Sequence, residues 1–151
     1  GSTRIDSPKY CPEALAGAGG LTDFEPPARV RDDAEFAWPI ARQIGALDIG
    51  QAVAVKEREI IAVEAIEGTD ALIERAGALC PAGGWTLVKL AKPNQDMRFD
   101  VPTIGPKTIE NLHRARAAGL VIEAGKTLIL DRPATLSLAN RFRIALIGRG
   151  D

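Results

Sequence analysis

The sequence predicts an α/β domain built on a mixed sheet, and three observations carry that prediction. After residue 50, short apolar runs of strand length alternate with segments of helical periodicity. Several of those runs are uninterrupted, as expected of strands covered on both faces. Gly and Pro fall between the segments, where turns and helix ends need them. With 151 residues, 46% of them hydrophobic, the chain can bury a core without disulfide staples. Residues 1–28 read as an irregular tail or linker, and residues 29–151 as a single compact domain.

The elements follow in order. Residues 32–44 have helical spacing, with Phe36, Ile40 and Ile44 at i, i+4 and i+8. Pro39 should kink or shorten that helix, and Gly45 should stop it. Residues 52–55 and 60–66 read as the strands of a hairpin joined by the polar turn Lys56-Glu57-Arg58. A helix is expected after Thr69, with Leu72, Ile73 and Ala76 facing inward and Gly77 ending it. Residues 81–84 make a turn, 85–91 a third strand, and 92–105 a long irregular segment. Pro106 suits the first turn of a helix running to residue 118, with Ile109 and Leu112 inward and Gly119 as its cap. Residues 120–123 and 127–130 are expected to pair as a hairpin around Ala124-Gly125-Lys126. Pro133 opens a last helix carrying Leu136 and Ala139, and residues 144–147 form the final strand. There is no internal repeat and no low-complexity tract.

Composition narrows the function classes. Nineteen basic and 20 acidic residues give a net charge of −1, which offers no general footprint for nucleic acid. Aromatics at 5% are too few to build a base-stacking platform, so no nucleic-acid partner is expected. No run of about 18 apolar residues exists to span a membrane, and no secretory leader is visible. Cys11 and Cys80 read as reduced thiols of a cytoplasmic protein. With His113 they match no zinc spacing, and His113, beside Arg114 and Arg116, is expected on the surface. Gly1-Ser2 has the form of a tag remnant, so the chain is expected to be part of a longer protein.

Three polar clusters follow apolar strands and precede helices, where open α/β sheets collect their ligands. The first is Glu67-Gly68-Thr69-Asp70, with Glu64 inside the preceding strand. Thr69 or Asp70 can cap the helix, and free N–H groups at such a terminus suit phosphate. Glu64 interrupts a segment that otherwise buries well, so it faces water at a strand edge or has a partner. The second cluster spans residues 92–100. There Lys89, Lys92 and Arg98 could hold a pyrophosphate, and Asp96 and Asp100 could hold a divalent cation or orient a water. The third is Asp131-Arg132. Gly17-Ala18-Gly19-Gly20 has no strand before it and reads as linker rather than as a phosphate loop.

Ordered motifs at compatible spacing carry a resemblance. They are Leu47-Asp48-Ile49-Gly50-Gln51, Ala62-Val63-Glu64-Ala65-Ile66-Glu67-Gly68-Thr69-Asp70, Lys92-Pro93 through Asp100, and Pro102-Thr103-Ile104-Gly105. Glu123-Ala124-Gly125 and Leu130-Asp131-Arg132 continue the pattern. Over residues 33–147 the chain resembles the C-terminal domain of the LpxI-type UDP-2,3-diacylglucosamine pyrophosphatases of lipid A synthesis. The resemblance implies an enzyme dependent on Mg²⁺ or Mn²⁺. It would hydrolyse the UDP-sugar to UMP and 2,3-diacylglucosamine 1-phosphate (lipid X).

By the same resemblance Asp100 is the family's key catalytic or metal-linked acid, and Asp96 joins it as a candidate metal ligand from the charges of that loop. Glu64, Glu67, Gly68, Thr69, Asp70, Lys92, Gln95, Arg98 and Thr103 are implied as substrate-binding residues. The family's N-terminal Rossmann-like domain is expected to be absent from this chain and to be its partner in the whole protein. An isolated C-terminal domain can therefore be inactive alone. A cytoplasmic location, peripheral contact with the inner membrane and a homodimer are all compatible with the family. The residues by themselves leave two further readings open: a non-catalytic sugar-nucleotide or lipid-binding module, and a structural or dimerisation domain.

Overall fold

The computed structural model describes residues 15–93 and 101–150. In chain order its elements are β1 (Gly19–Gly20), α1 (Ala28–Ala46), β2 (Ala52–Lys56), β3 (Glu59–Val63), α2 (Thr69–Leu79) and β4 (Thr86–Lys89). They continue with β5 (Thr103–Ile104), α3 (Pro106–Arg114), β6 (Gly119–Glu123), β7 (Leu128–Ile129), α4 (Arg132–Phe142) and β8 (Ala145–Arg149). Six strands form one mixed sheet in the order β1-β8-β6-β4-β2-β3, and β5 pairs with β7 in a small parallel sheet. The predicted α/β class is the observed one. No helix among the described residues is long and apolar enough to cross a membrane.

Strand direction sets where ligands can collect. β4, β6 and β8 are parallel, while β2 is antiparallel to both β4 and β3. β3 therefore runs in the same direction as β4, β6 and β8, and all four end at one rim. The helices that follow β3 and precede β4, β6 and β8 return along one face. Leu72, Ile73 and Ala76 of α2, Ile109 and Leu112 of α3 and Ala139 of α4 join one core with Ala52, Ala54, Leu87, Leu120 and Ile122. On the other face α1 packs Ala34, Ala37, Trp38 and Ala41 against Val53, Val55, Val88 and Val121. Full burial of such side chains contributes about 1.5–3 kcal/mol each for the larger aliphatics. The result is three layers, with three helices on one side of the sheet and one on the other.

The β2–β3 hairpin appears as predicted, closed by Glu57 and Arg58, both at positive φ (52° and 60°). That is the turn handedness that matches strand twist, although neither residue is glycine. Asp33 on α1 compensates: its buried carboxylate accepts from Glu57 N–H (3.0 Å) and Arg58 N–H (2.9 Å).

Several expectations are corrected by tertiary contacts. α1 starts at Ala28 and runs 19 residues through Pro39 and Gly45. Its buried face is Val30, Ala34, Ala37, Trp38 and Ala41, whereas Phe36 is exposed and Ile40 and Ile44 are only partly buried. The small alanines let the helix lie close on β2 and β4, which the larger Phe36 stripe would not. Gly77 does not end α2, which continues to Leu79. A Cβ at Gly77 would come within 2.8 Å of Ala115, so this glycine serves helix–helix approach. Gly119 opens β6 rather than capping α3, which ends at Arg114. β3 stops at Val63, short of residue 66. Residues 120–130 do not form a hairpin: β6 lies between β4 and β8, and β7 pairs with β5. Both parallel neighbours of β6 satisfy its backbone, which leaves no edge for β7.

The segment expected as a tail is partly structured within its described residues. β1 pairs antiparallel with β8, Leu15 bridges Leu128, and Ala16 N–H donates to the Thr127 carbonyl (2.8 Å). Two of the glycines expected as linker, Gly19 and Gly20, are thus an edge strand.

Candidate functional site

The carboxyl ends of β3, β4 and β6 meet at the rim, and cross-strand register orders their side chains. Glu64 N–H donates to the Ala52 carbonyl (2.9 Å), Ala52 pairs with Lys89, and Lys89 pairs with Ile122. Glu64, Ala52 and Lys89 therefore form one row on the face covered by α2 and α3, about 10 Å from end to end. The small Ala52 leaves the two charged side chains room on either side. Glu64 is 7% exposed and Lys89 8% exposed. Buried charges of this kind require partners.

Glu64 is fully engaged by the protein. Its Oε1 accepts from Gln51 N–H (3.0 Å) and its Oε2 from the Thr69 hydroxyl (3.2 Å). It ties the start of β2 to the start of α2. Gly50 makes this possible, since a Cβ there would lie 2.0 Å from the Glu64 carbonyl oxygen. Lys89 donates from Nζ to the Thr103 carbonyl (3.2 Å), which brings β5 to the rim. The Thr103 hydroxyl donates to the Val101 carbonyl (2.8 Å).

Three helices begin at this end of the sheet. α2 starts after Gly68, which takes φ +91° and has no side-chain cap. Neither Thr69 nor Asp70 caps it, contrary to expectation; the Thr69 hydroxyl goes to Glu64, and Asp70 sits in the first turn, half-paired with Asn111 (3.4 Å). α3 starts after Gly105, with Pro106 at its first position. α4 is capped by Asp131, whose Oδ1 accepts from Ala134 N–H (3.4 Å). A Cβ on Gly105 would meet Leu130 Cβ at 3.3 Å, so the starts of α3 and α4 are neighbours. The starts of α2 and α3 carry a helix-dipole positive charge and unsatisfied N–H groups, so with Lys89 at the same end of the sheet they make the rim receptive to an anion, whereas the Asp131 carboxylate already occupies the start of α4.

Glu67 lies outside the row. It pairs with Arg75, and its carboxylate accepts from Ala65 N–H (3.0 Å). Backbone N–H groups of Glu67 and Ala65, and then Arg75, hold its pKa below the usual carboxylate value. Lys92 pairs with Asp48 across the rim (3.1 Å). Of the predicted site, then, Glu64, Gly68, Thr69, Lys92 and Thr103 come to the rim with Lys89, while Glu67 and Asp70 take structural partners beside it. Gln95, Asp96, Arg98 and Asp100 lie outside the described residues.

One residue at the rim escaped the sequence reading of the site. Glu123, 4% exposed, ends β6 on the α1 face and accepts from Ala91 N–H (3.1 Å). Arg42 (3.5 Å) and Lys126 (3.6 Å) face its other oxygen. The signal was a carboxylate closing an apolar run, the same pattern that marked Glu64. Among the described residues no three His, Cys, Asp or Glu side chains converge as a donor set for a metal ion. Glu64 and Glu123 lie on opposite faces of the sheet, each occupied by protein donors.

Outside the rim, Cys80 is a free thiol, and exposed His113 stacks on Phe142 with ring centroids 3.8 Å apart.

Residues 17–147 match the family described as the LpxI C-terminal domain. The chain is 40% identical over 137 residues to the UDP-2,3-diacylglucosamine pyrophosphatase LpxI of Caulobacter vibrioides. That alignment covers 86% of this chain and 49% of the relative, so the chain spans about half the length of the curated relative it matches. On the extent of the family match, this chain belongs to the LpxI C-terminal domain family.

Proposed function

We propose that this chain is the C-terminal part of an enzyme that hydrolyses the pyrophosphate of UDP-2,3-diacylglucosamine to UMP and 2,3-diacylglucosamine 1-phosphate, in lipid A synthesis at the cytoplasmic side of the membrane. The observation that carries this reading is the rim itself: buried Lys89 and the N-termini of α2 and α3 at the ends of parallel strands. The name of the relative supplies the substrate class. Water adds to one phosphorus as the bridging P–O bond breaks, and the leaving phosphate departs as the second monoester. Charge builds on the phosphoryl oxygens, and fixed positive dipoles and cations stabilise it.

Lys89 and Lys92 bind the pyrophosphate oxygens, and the N–H groups following Gly68 donate to a further anionic oxygen. Glu64 and Thr69 hold that helix start in place. Asp100 assists the metal or the attacking water, with Gln95 and Arg98 on the substrate. Mg²⁺ or Mn²⁺ would be held by Asp96 and Asp100, and when bound would neutralise phosphoryl charge. The described carboxylates do not supply that donor set. The remaining half of the relative's length supplies the second wall for the acyl chains.

The test is turnover by the full-length protein, followed as UMP release. Asp100→Ala should abolish it, and a chelator should do the same until Mn²⁺ or Mg²⁺ is restored. Near wild-type turnover by Asp100→Ala would overturn the assignment, and chelator-resistant turnover would overturn the metal requirement.

A further inference from the structure

We propose that Glu123 is a positioning residue, which holds the exit of β4 so that Lys92 is presented to the bound ligand. This rests on the pyrophosphatase reading. β4 ends at Lys89, and the next amide, Leu90 N–H, still donates to the Gln51 carbonyl (2.9 Å). At Ala91 the acceptor is a side chain, Glu123 Oε1, and not a neighbouring strand. Two residues carry the chain from sheet pairing to open rim, and the Glu123 carboxylate sets that step. Lys92 follows at once and reaches Asp48 (3.1 Å).

The carboxylate is itself held from two directions. Arg42 comes from α1, with its guanidinium carbon 5.8 Å from the Trp38 ring centroid. Lys126 comes from the turn after β6, three residues on. Arg149 is its cross-strand register partner on β8, but the Arg149 guanidinium pairs with Glu35 (3.2 Å). A carboxylate 4% exposed is costly to desolvate. Arg42 and Lys126 offset that cost at one carboxylate oxygen and leave the other to accept from Ala91. An ion pair serving stability alone would need no contact with the β4 exit.

Three substitutions separate the roles. Glu123→Met keeps the volume and cannot accept a hydrogen bond. Glu123→Asp keeps the charge and falls a methylene short of Ala91. Glu123→Gln keeps the acceptor and loses the charge. In this chain, amide exchange at Ala91 should rise about tenfold or more in the Met and Asp variants, with Val121 and Ile122 unchanged, since a hydrogen bond to a carboxylate is lost. In the full-length protein the same two variants should raise KM for UDP-2,3-diacylglucosamine about tenfold, with kcat within about threefold. Glu123→Gln should restore both readouts to near wild type. The inference fails if Ala91 exchange is unchanged in the Asp variant, if it changes without KM, or if Gln is as damaging as Asp. If Glu123→Met does not fold, the Asp and Gln variants still decide. A wild-type enzyme without turnover overturns the pyrophosphatase reading instead, and unprotected Ala91 in the wild type overturns the clamp.

Discussion

Lys89 is the residue whose burial is hardest to explain by packing alone. It sits 8% exposed beneath the rim and donates to the Thr103 carbonyl. Removing one partner of a buried polar contact leaves the other unsatisfied, at a cost of about 1–3 kcal/mol. Lys89→Met should therefore lower the unfolding free energy by about that much. Under the proposed function, nucleotide binding by the full-length protein should also fall at least about tenfold, as expected when a charge-assisted contact is lost. Urea denaturation and calorimetry with UMP measure the two separately, and a loss of stability with nucleotide binding unchanged would make Lys89 structural. Glu67 makes a different case at the same scale. Its pKa is lowered in the fold, so its contribution is present above the unfolded value and is lost as pH falls through the folded one. Glu67→Gln should be less stable than the parent at neutral pH, and the two should converge below pH of about 4. Melting curves across pH would show it, and a constant gap would mean that the Arg75 pairing does not titrate.

Among the elements, the β2–β3 hairpin depends most on a distant residue. Its two turn residues have positive φ without being glycine, and Asp33 accepts from both of their amides. Asp33→Ala should cost about 2 kcal/mol, the range for hydrogen bonds to a charged acceptor. A urea midpoint within error of the parent would show that water replaces the carboxylate. The sequence shows the turn as a polar interruption, Lys56-Glu57-Arg58, but nothing in that tripeptide reveals that α1 stabilises it. The same limit explains the α1 face. Phe36, Ile40 and Ile44 have helical spacing, yet the alanine stripe beside them is buried because β2 and β4 allow only a close approach. Periodicity reports a helix more securely than it reports which side faces inward.

At the scale of the whole molecule, two cores share one sheet. Trp38 lies on the α1 side, and Trp85 lies in the other core with its indole N–H donating to the Ala115 carbonyl (2.9 Å). Because β2 and β4 contribute side chains to both cores, the two should unfold together. Trp38→Phe and Trp85→Phe variants, each reporting from its remaining tryptophan, should give coincident urea transitions once their own stability losses are subtracted. Separate transitions would divide the domain into two cooperative units.

The sequence by itself determined the α/β class, the presence of nearly every helix and long strand, and the polar clusters at strand ends, because apolar period, turn residues and caps act between neighbours in the chain. The family motifs in it pointed to the family that the comparisons then showed. Only the tertiary structure decided that β6 lies between β4 and β8 and not against β7, that three helices start at one rim, and that Glu64 and Glu123 fall on opposite faces. These features depend on which strands pair over long separations and on a register in which one residue reverses every face. That is why Glu123 shows in the sequence only as the end of an apolar run, and shows its hold on Ala91 only once β4 and β6 lie side by side.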